Sequence, residues 1–504
     1  MKLFNSAREY HNRTKYVYDD VKYVYKEFSS EPQPPTFKNY PGKPAVALKK
    51  DLPADGQTLA HSMEASSKFA AFRKLKAAPL TLDTVSQLLF LTNGVTLVRD
   101  FPAKKVYLRA APSASSLQPI EIYLYAHDVE GLERGFYYFQ PLQHQLLRIK
   151  DGDFRELISE AGYELDFLKN APAVFFFTSV FSRNSWRYRN RAYRYCLMDA
   201  GYIGENFVLG AAGLDLAADL VGDFVDGEVN ELLGIDGFDE AAILLAAVGA
   251  DAGPIDEMEY RFGMHTPEND LINEHFKSLV RGIHNNSNHF RPREKAVNVD
   301  VKLPFKREPL ARSGAGEMTG LPAPRKLDRQ KTFQIIQKRR SSHNFLRSPL
   351  TLEEFSTLLD SLNGVPVLYD YRSFMTHLVV NDVAGLKNGI YRYHPQENRV
   401  ELVREGTYRG DVSYLTLAQD AVFNCSVAFF FSADFEDINI FSNRGYRYAH
   451  FNIGMLSEII YLASVAMGIG ARGIGNFFDD SINTFFKVKE PHENILGGVI
   501  VGRI

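Results

Sequence analysis

Three blocks of this sequence occur twice, in the same order. PLTLDTVSQLLFLTNGV at 79–95 returns as PLTLEEFSTLLDSLNGV at 349–365, with ten of seventeen positions identical. DVEGLERGFYYFQP at 128–141 returns as DVAGLKNGIYRYHP at 382–395, and NRAYRYCLMDAG at 190–201 as NRGYRYAHFNIG at 443–454. The copies lie 270, 254 and 253 positions apart in the three blocks. The last spacing also pairs Glu205 with Glu458, Gly222 with Gly475, Phe224 with Phe477, Asp226 with Asp479 and Gly249 with Gly502. Ordered self-similarity over this length predicts a tandem duplication of one domain. The spacing falls by sixteen residues, from 270 to 254, so the first copy carries extra material there that includes LRAAPSASSLQPIEIYLY.

Each copy reads as two helices, three strands, a long helix, a short helix and a closing strand. PLTLEEFSTLLDSL has apolar residues at helical spacing, a Thr N-cap and a Glu three positions on. IEIYLYA and LVVND read as strands followed by Gly-containing turns, with GIYRYHP as the return strand. AVFFFTSV and VAFFFSA are continuous apolar runs of buried-strand length. Small and apolar residues keep a helical period from Tyr193 to Leu216 and from Tyr446 to Met467. The expected fold class is α+β, an antiparallel-type sheet flanked by helices in each copy. The expected divisions are a first domain at 1–265 with an N-terminal extension, a connector at 266–330 and a second domain at 331–504. The connector is polar and proline-containing, which predicts little core of its own and enough length for the copies to pack as an intramolecular pseudo-dimer.

Composition removes several function classes. A net charge of −3 over 504 residues offers no general attraction for nucleic acid or an anionic membrane. Cys196 and Cys425 are the only cysteines, which excludes a disulfide framework and a cysteine-rich zinc site. MKLFNSAREYHNRTKY lacks the apolar centre of a secretory signal, and AAILLAAVGA is about half a membrane span. The expectation is a cytoplasmic protein with no membrane, nucleic-acid or metal partner.

In order and content these blocks resemble the nitroreductase superfamily of flavin enzymes, and within it the SagB-type azoline dehydrogenases. RRSSHNF before PLTLEEF is similar to the family's opening motif. LRAAPSASSLQPIEIY resembles that branch's Arg-x-x-Pro-Ser…Pro-x-Glu signature, and AGYIGENFVLGAAGLDLAADLVGDF its long dimer helix and following turn. YHNRTKY near the N-terminus is also typical of the branch. Members are homodimers that bind FMN between subunits. The resemblance implies FMN as cofactor, held on one side by Arg339, Arg340, Ser341, Gly473, Gly475 and Arg503 of the second copy. The other side implied is the first copy's Pro112, Ser113, Ser115 and Gln118. The first copy has Phe69, Ala70 and Ala71 where the second has Arg339, Arg340 and Ser341, and Ala250 where it has Arg503. A dianionic phosphate facing Phe and Ala lacks charge-assisted hydrogen bonds, so one working site per chain is expected.

The branch's Lys-Tyr catalytic pair falls on Arg187 and Tyr188. Arginine stays protonated and is a poor general base, whereas Tyr188 could act as acid or base if its pKa were lowered. The aligned residues of the second copy are Ile440 and Phe441. Tyr193, Arg194 and Tyr195 recur as Tyr446, Arg447 and Tyr448, which points to helix packing or the interface between copies rather than to catalysis. Trp186, the only tryptophan, fits a substrate cavity or a core equally. His284 and His289 read as polar connector residues and the two cysteines as core fillers. Gly468 and Gly470 lack the strand-to-helix context of a dinucleotide fingerprint. The resemblance implies an FMN-dependent dehydrogenase of a heterocycle or peptide azoline, passing hydride to flavin N5. The alternatives are an NAD(P)H-dependent nitro or quinone reductase and a degenerate flavin-fold scaffold. The partner is a small-molecule or peptide substrate, and the intramolecular pair favours a monomer.

Overall fold

The computed structural model describes residues 7–18, 32–50, 56–69, 73–76, 78–102, 104–254, 279–288, 316–365, 368, 374–440, 442–488 and 492–504. The first copy has strands β1 (Ala45–Ala47), β2 (Arg73–Lys76), β3 (Val95–Phe101), β4 (Lys104–Arg109), β5 (Ile120–Ala126), β6 (Gly135–Gln140), β7 (Gln145–Asp151), β8 (Ala173–Val180), β9 (Ala217–Val221) and β10 (Glu240–Pro254). The second has β11 (Glu317–Gly320), β12 (Met375–Val380), β13 (Gly389–His394), β14 (Arg399–Glu405), β15 (Val427–Asp434), β16 (Gly470–Ile474) and β17 (Glu493–Gly502). One sheet runs β1-β7-β6-β5-β8-β10, with β2 and β9 both on β10; the other runs β11-β14-β13-β12-β15-β17-β16. The registers repeat as well: Phe177 lies opposite Ile122 and Leu244, and Phe431 opposite Thr376 and Gly497. Strands β7, β9, β14 and β16 were not anticipated. The extra residues of the first copy form the separate hairpin β3–β4 and the loop after it.

The helices used below are α1 (Ala7–Arg13), α2 (Leu59–Phe69), α3 (Leu82–Asn93), α4 (Phe181–Tyr188), α5 (Ala192–Gly213), α6 (Asp226–Leu233), α7 (Leu279–Asn286), α8 (Thr332–Lys338), α9 (Leu352–Ser361), α10 (Gly445–Met467) and α11 (Asp479–Phe486). Alternation along the buried strands explains how the cores divide. Phe175 and Phe177 face inward onto Phe207 of α5, while Phe176 faces outward onto Phe136. Phe429 and Phe431 face the same inner core, and Phe430 packs outward on Phe486. The inner core is therefore shared by both copies and each outer core belongs to one.

The long helices α5 and α10 cross at the pseudo-dyad through paired glycines. A Cβ on Gly201 would stand 2.1 Å from the Phe451 carbonyl, and one on Gly454 2.3 Å from that of Met198. No side chain larger than hydrogen fits at either position. A helix of membrane-spanning length and apolarity, Ser442–Met467, is mostly buried here against its counterpart.

Two reciprocal charge clusters lock the copies together. Asp479, at the start of α11, takes Arg191 and Arg194 of the first copy at 2.7 Å each. Asp226, at the start of α6, takes Arg444 and Arg447 of the second. All six side chains are buried, and the two arginines on Asp479 hold its carboxyl below the usual range despite desolvation. Each cluster is sealed by a short helix. Arg194 donates to the His11 carbonyl and the Thr14 hydroxyl, and Arg191 to the Thr14 carbonyl. Arg447 donates to the His284 carbonyl and the Ser287 hydroxyl, and Arg444 to the Ser287 carbonyl. His11 meets the Tyr446 hydroxyl, and His284 that of Tyr193.

Within the expected connector, the described residues 279–288 and 316–330 do pack. Helix α7 buries Val280, Ile283 and His284, the turn after it buries Ser287 and Asn288, and β11 extends the second sheet as β1 extends the first. Both pieces are counterparts of the first copy's N-terminal extension. They looked like connector because their packing rests on backbone carbonyls and small hydroxyls, which polar sequence supplies. His289 lies outside the described residues.

Candidate active site between the copies

The RRSS segment follows α8 and crosses onto the first copy. Arg339 is 3% exposed; its Nε donates to the Ala110 carbonyl at 2.8 Å and an Nη to that of Arg109 at 3.2 Å. Its other nitrogen, Nη1, is buried with no hydrogen-bond partner among the described residues. Arg340 donates to the Thr96 carbonyl at the root of the β3–β4 hairpin. Burial and the charges of Arg339 and Arg99 lower its guanidinium to about 10. His343, 2.7 Å from Arg472, is pushed down by burial, Arg472 and Arg99. Arg99, Arg472 and His343 escaped the sequence reading, although Arg472 stands inside the glycine-rich MGIGARGIG.

Ser341 shares the Tyr461 hydroxyl, at 2.9 Å, with the Gly473 N–H, at 2.6 Å. The glycines let their turn press against the first copy: a Cβ on Gly473 would stand 2.5 Å from the Tyr202 hydroxyl, and one on Gly475 2.5 Å from the Tyr195 ring. The Gly475 carbonyl accepts from Tyr195 and Arg191. Arg503, expected among the phosphate cations, is instead paired bidentately with Glu354, at 2.7 and 3.0 Å. Glu354 already closes the α9 capping box, a role that hid its second partner. Behind Arg339 lies Glu458, at 3.7 Å, with both carboxyl oxygens buried and unbonded; burial pushes it up to about 8. Its counterpart Glu205 is also raised by burial, with Glu458 adding to it.

The Pro-Ser loop faces this head. Pro112 and Ser113 are half-buried, Ser115 is exposed, and Gln118 is buried. Ser115, Ser116 and Gln118 all have positive φ, at 51°, 55° and 54°. Such non-glycine residues persist only when held from outside. The Arg and Glu of the signature do this from below. Arg183 pairs with the buried Glu121 and donates to the carbonyls of Gln118 and Pro35. Arg109 donates to the Thr36 carbonyl. From above, Asp199 accepts from the Ser113 hydroxyl.

Tyr188, at the end of α4, shares a 2.7 Å hydrogen bond with Ser115, and its ring packs against that of Tyr195 with centroids 4.3 Å apart and a 43° tilt. Burial pushes its phenol up to about 12 despite the bond to Ser115 and the nearby Arg187. The lowered pKa that a base role needs is therefore absent, and the Tyr188 phenol is protonated at neutral pH. Arg187 lies 6.0 Å from the centre of its ring. Trp186 is half-buried on the same helix.

Across the pseudo-dyad the matching positions carry different residues. Leu220 stands where Gly473 does, Val208 where Tyr461 does, and Ala250 where Arg503 does. Phe69 ends α2; Ala70 and Ala71 lie outside the described residues, as does Phe441, and Ile440 ends a short helix.

At the boundary between two α+β copies, cations from one meet a strained polar loop from the other. The profile of the Nitroreductase family matches residues 70–250 and 336–503. A Methanocaldococcus jannaschii protein with a provisional nitroreductase name, MJ1384, is 34% identical over 182 residues, 36% of this chain and 87% of its own length. The trifolitoxin-processing protein TfxB of Rhizobium leguminosarum bv. trifolii is 30% identical over 233 residues; the match takes in 44% of this chain and 61% of TfxB. A crystal structure from Anabaena variabilis, also provisionally named a nitroreductase, superposes with a TM-score of 0.81 and 26% identity, covering 99% of both chains. The chain belongs to the nitroreductase family, and it is a tandem duplication of that family's domain.

The residues fit the family's anionic flavin cofactor. A buried Arg339 nitrogen with no hydrogen-bond partner among the described residues, beside Arg340, Arg99 and Arg472, is a donor that an anionic group would satisfy.

Proposed function

We propose that this chain is an FMN-dependent oxidoreductase with one cofactor site built from both copies, dehydrogenating a heterocycle or a peptide-borne azoline. The observation that carries the proposal is Arg339, which reaches the first copy's Pro-Ser loop and leaves a buried nitrogen unpaired. In this reading Arg339, Arg340 and Ser341 hold the phosphate end. Gly473 and Gly475 keep their turn tight against Tyr202 and Tyr195. Pro112, Ser113, Ser115 and Gln118 wall the opposite face. Arg503 braces the segment after RRSS, since its carbonyl accepts from Leu346 at 2.8 Å and its guanidinium is held by Glu354. FMN, when bound, supplies the hydride acceptor. Tyr188 holds a proton on its phenolic oxygen beside Ser115, and Arg187 keeps a fixed positive charge next to it. The likeness to TfxB supports a peptide substrate. With the pairing surface used inside the chain, the protein is proposed to be a cytoplasmic monomer.

A second reading, an NAD(P)H-dependent nitro or quinone reductase, is favoured by Tyr188 itself. Burial keeps its phenol protonated at neutral pH, so a proton is in place beside Ser115, and reduction of such acceptors consumes protons. Purified protein should carry one FMN per chain by absorbance after release. Two per chain would end the composite site, and none after reconstitution would leave a binding scaffold. Anaerobic NADPH separates the enzymatic readings, because rapid bleaching of the flavin is expected only of the reductase.

A further inference from the structure

We propose that Asp199 is a positioning residue of the composite site, whose carboxylate holds the Pro-Ser loop in shape and thereby holds Ser115 against Tyr188. The inference rests on the reading that this loop walls the cofactor.

Asp199 sits on α5, 1% exposed. One oxygen accepts from the Ser113 hydroxyl at 2.7 Å, and both accept from the Ala114 N–H at 3.2 and 3.3 Å. The Ser113 oxygen in turn accepts the Gln118 N–H at 2.9 Å. One carboxylate thus pins both ends of a turn whose interior is left-handed at Ser115, Ser116 and Gln118. A turn of that shape relaxes when its outside bonds weaken. The residue that moves first is Ser115, the hydrogen-bond partner of Tyr188.

The second copy supplies a control inside the same molecule. Asn452 occupies the equivalent place on α10. Its Oδ1 accepts from the Leu368 N–H at 2.8 Å and its Nδ2 donates to the Leu368 carbonyl at 3.0 Å. The amide makes the same kind of clamp without an ionisable group, on the side where Leu220 replaces the glycine turn. The ionisable version is on the side of the Pro-Ser loop.

Burial pushes the Asp199 carboxyl up to about 7, against the bonds from Ser113 and Ala114 that favour its charged form. The groups facing it are Ser113 and Ala114 of the loop, Asn184 and Tyr188 of α4, and Cys196 and Tyr202 of its own helix. Cys196 and Tyr188 are pushed up to about 12 and Tyr202 is raised, all by burial, so each is neutral where Asp199 titrates. Protonation leaves Asp199 a weaker acceptor for both loop donors. The loop is then tight at pH 8 and loosened at pH 6.

Trp186 lies two residues from Tyr188 on α4, and as the only tryptophan it reports on this corner without any cofactor. In flavin-free protein its emission should step between pH 6 and 8. Asp199→Asn should abolish the step while keeping the fold, as Asn452 does in its own copy. Ser113→Ala, which removes one bond to the carboxylate, should move the step to higher pH. In parallel, FMN affinity, read from quenching of flavin fluorescence, should fall roughly tenfold from pH 8 to pH 6 in the wild type and stay flat in Asp199→Asn. Survival of the emission step in Asp199→Asn, or a Ser113→Ala step at an unchanged pH, overturns the proposal. A wild-type step with no FMN bound at any pH leaves Asp199 in its role and ends the flavin reading instead.

Discussion

The two faces of the pseudo-dyad share their clasps and differ in their clefts. Asp479 with Arg191 and Arg194 is mirrored bond for bond by Asp226 with Arg444 and Arg447. Between the same helices, however, one cleft has Gly473, Tyr461 and Arg339, and the other has Leu220, Val208 and Phe69 at the matching positions. In the proposed reading, joining the copies in one chain released the second site from function, while the clasp stayed under the same physical demand, because a buried arginine without its carboxylate is costly wherever it sits.

The largest expected effect tests the clasps. Asp479→Ala leaves two buried arginines uncompensated and should cost about 3–5 kcal/mol in chemical denaturation, and Asp226→Ala about the same. A variant that costs little at one clasp and much at the other would break the mirror. Gly473→Leu copies the first copy's residue into the second, against the Tyr202 hydroxyl. FMN titration should find binding weakened by about a hundredfold or more, while Leu220→Gly gains no second flavin. Tyr188→Phe should lower turnover roughly tenfold to a hundredfold without losing flavin. With the phenol at about 12, the wild-type rate should have no alkaline limb from this residue below about pH 10.

The smallest effect concerns the carboxyl behind Arg339. Glu458 is raised from 4.5 to about 8 by burial, so the stability linked to its proton is full below 4.5 and is lost as pH rises through 8. Glu458→Gln should therefore flatten the fall in melting temperature between about pH 4.5 and pH 8, a gain on the order of 1–2 kcal/mol at pH 8. An unchanged fall would place that pH dependence elsewhere.

The duplication, the α+β class and the shared interface were legible because they rest on apolar period and on residues repeated at one spacing. Tyr193-Arg194-Tyr195 and its repeat do pack between the copies, as their recurrence suggested. The start of the second copy was not legible, although His11-Asn12-Arg13-Thr14 and His284-Asn285-Asn286-Ser287 carry the signal. Three polar residues with one small hydroxyl look like surface until arginines are seen bonding their carbonyls. Strands β9 and β16 were missed because their β-branched content is low and their pairing lies with a strand far along the chain. Within the site, residue type was readable and state was not. The Tyr188 phenol and the Asp199 carboxyl are set by desolvation, and Arg503 by a glutamate whose local motif already explained it.

The clasp around Asp479 spans 285 residues to Arg194 and 288 to Arg191. On a ribosome the first half therefore emerges with two guanidinium groups facing a partner not yet translated, beside the glycine-lined helix surface that will later be covered. Its buried charges are compensated only once Asp479 has been made, so the first half alone exposes the surface that long-range contacts later cover.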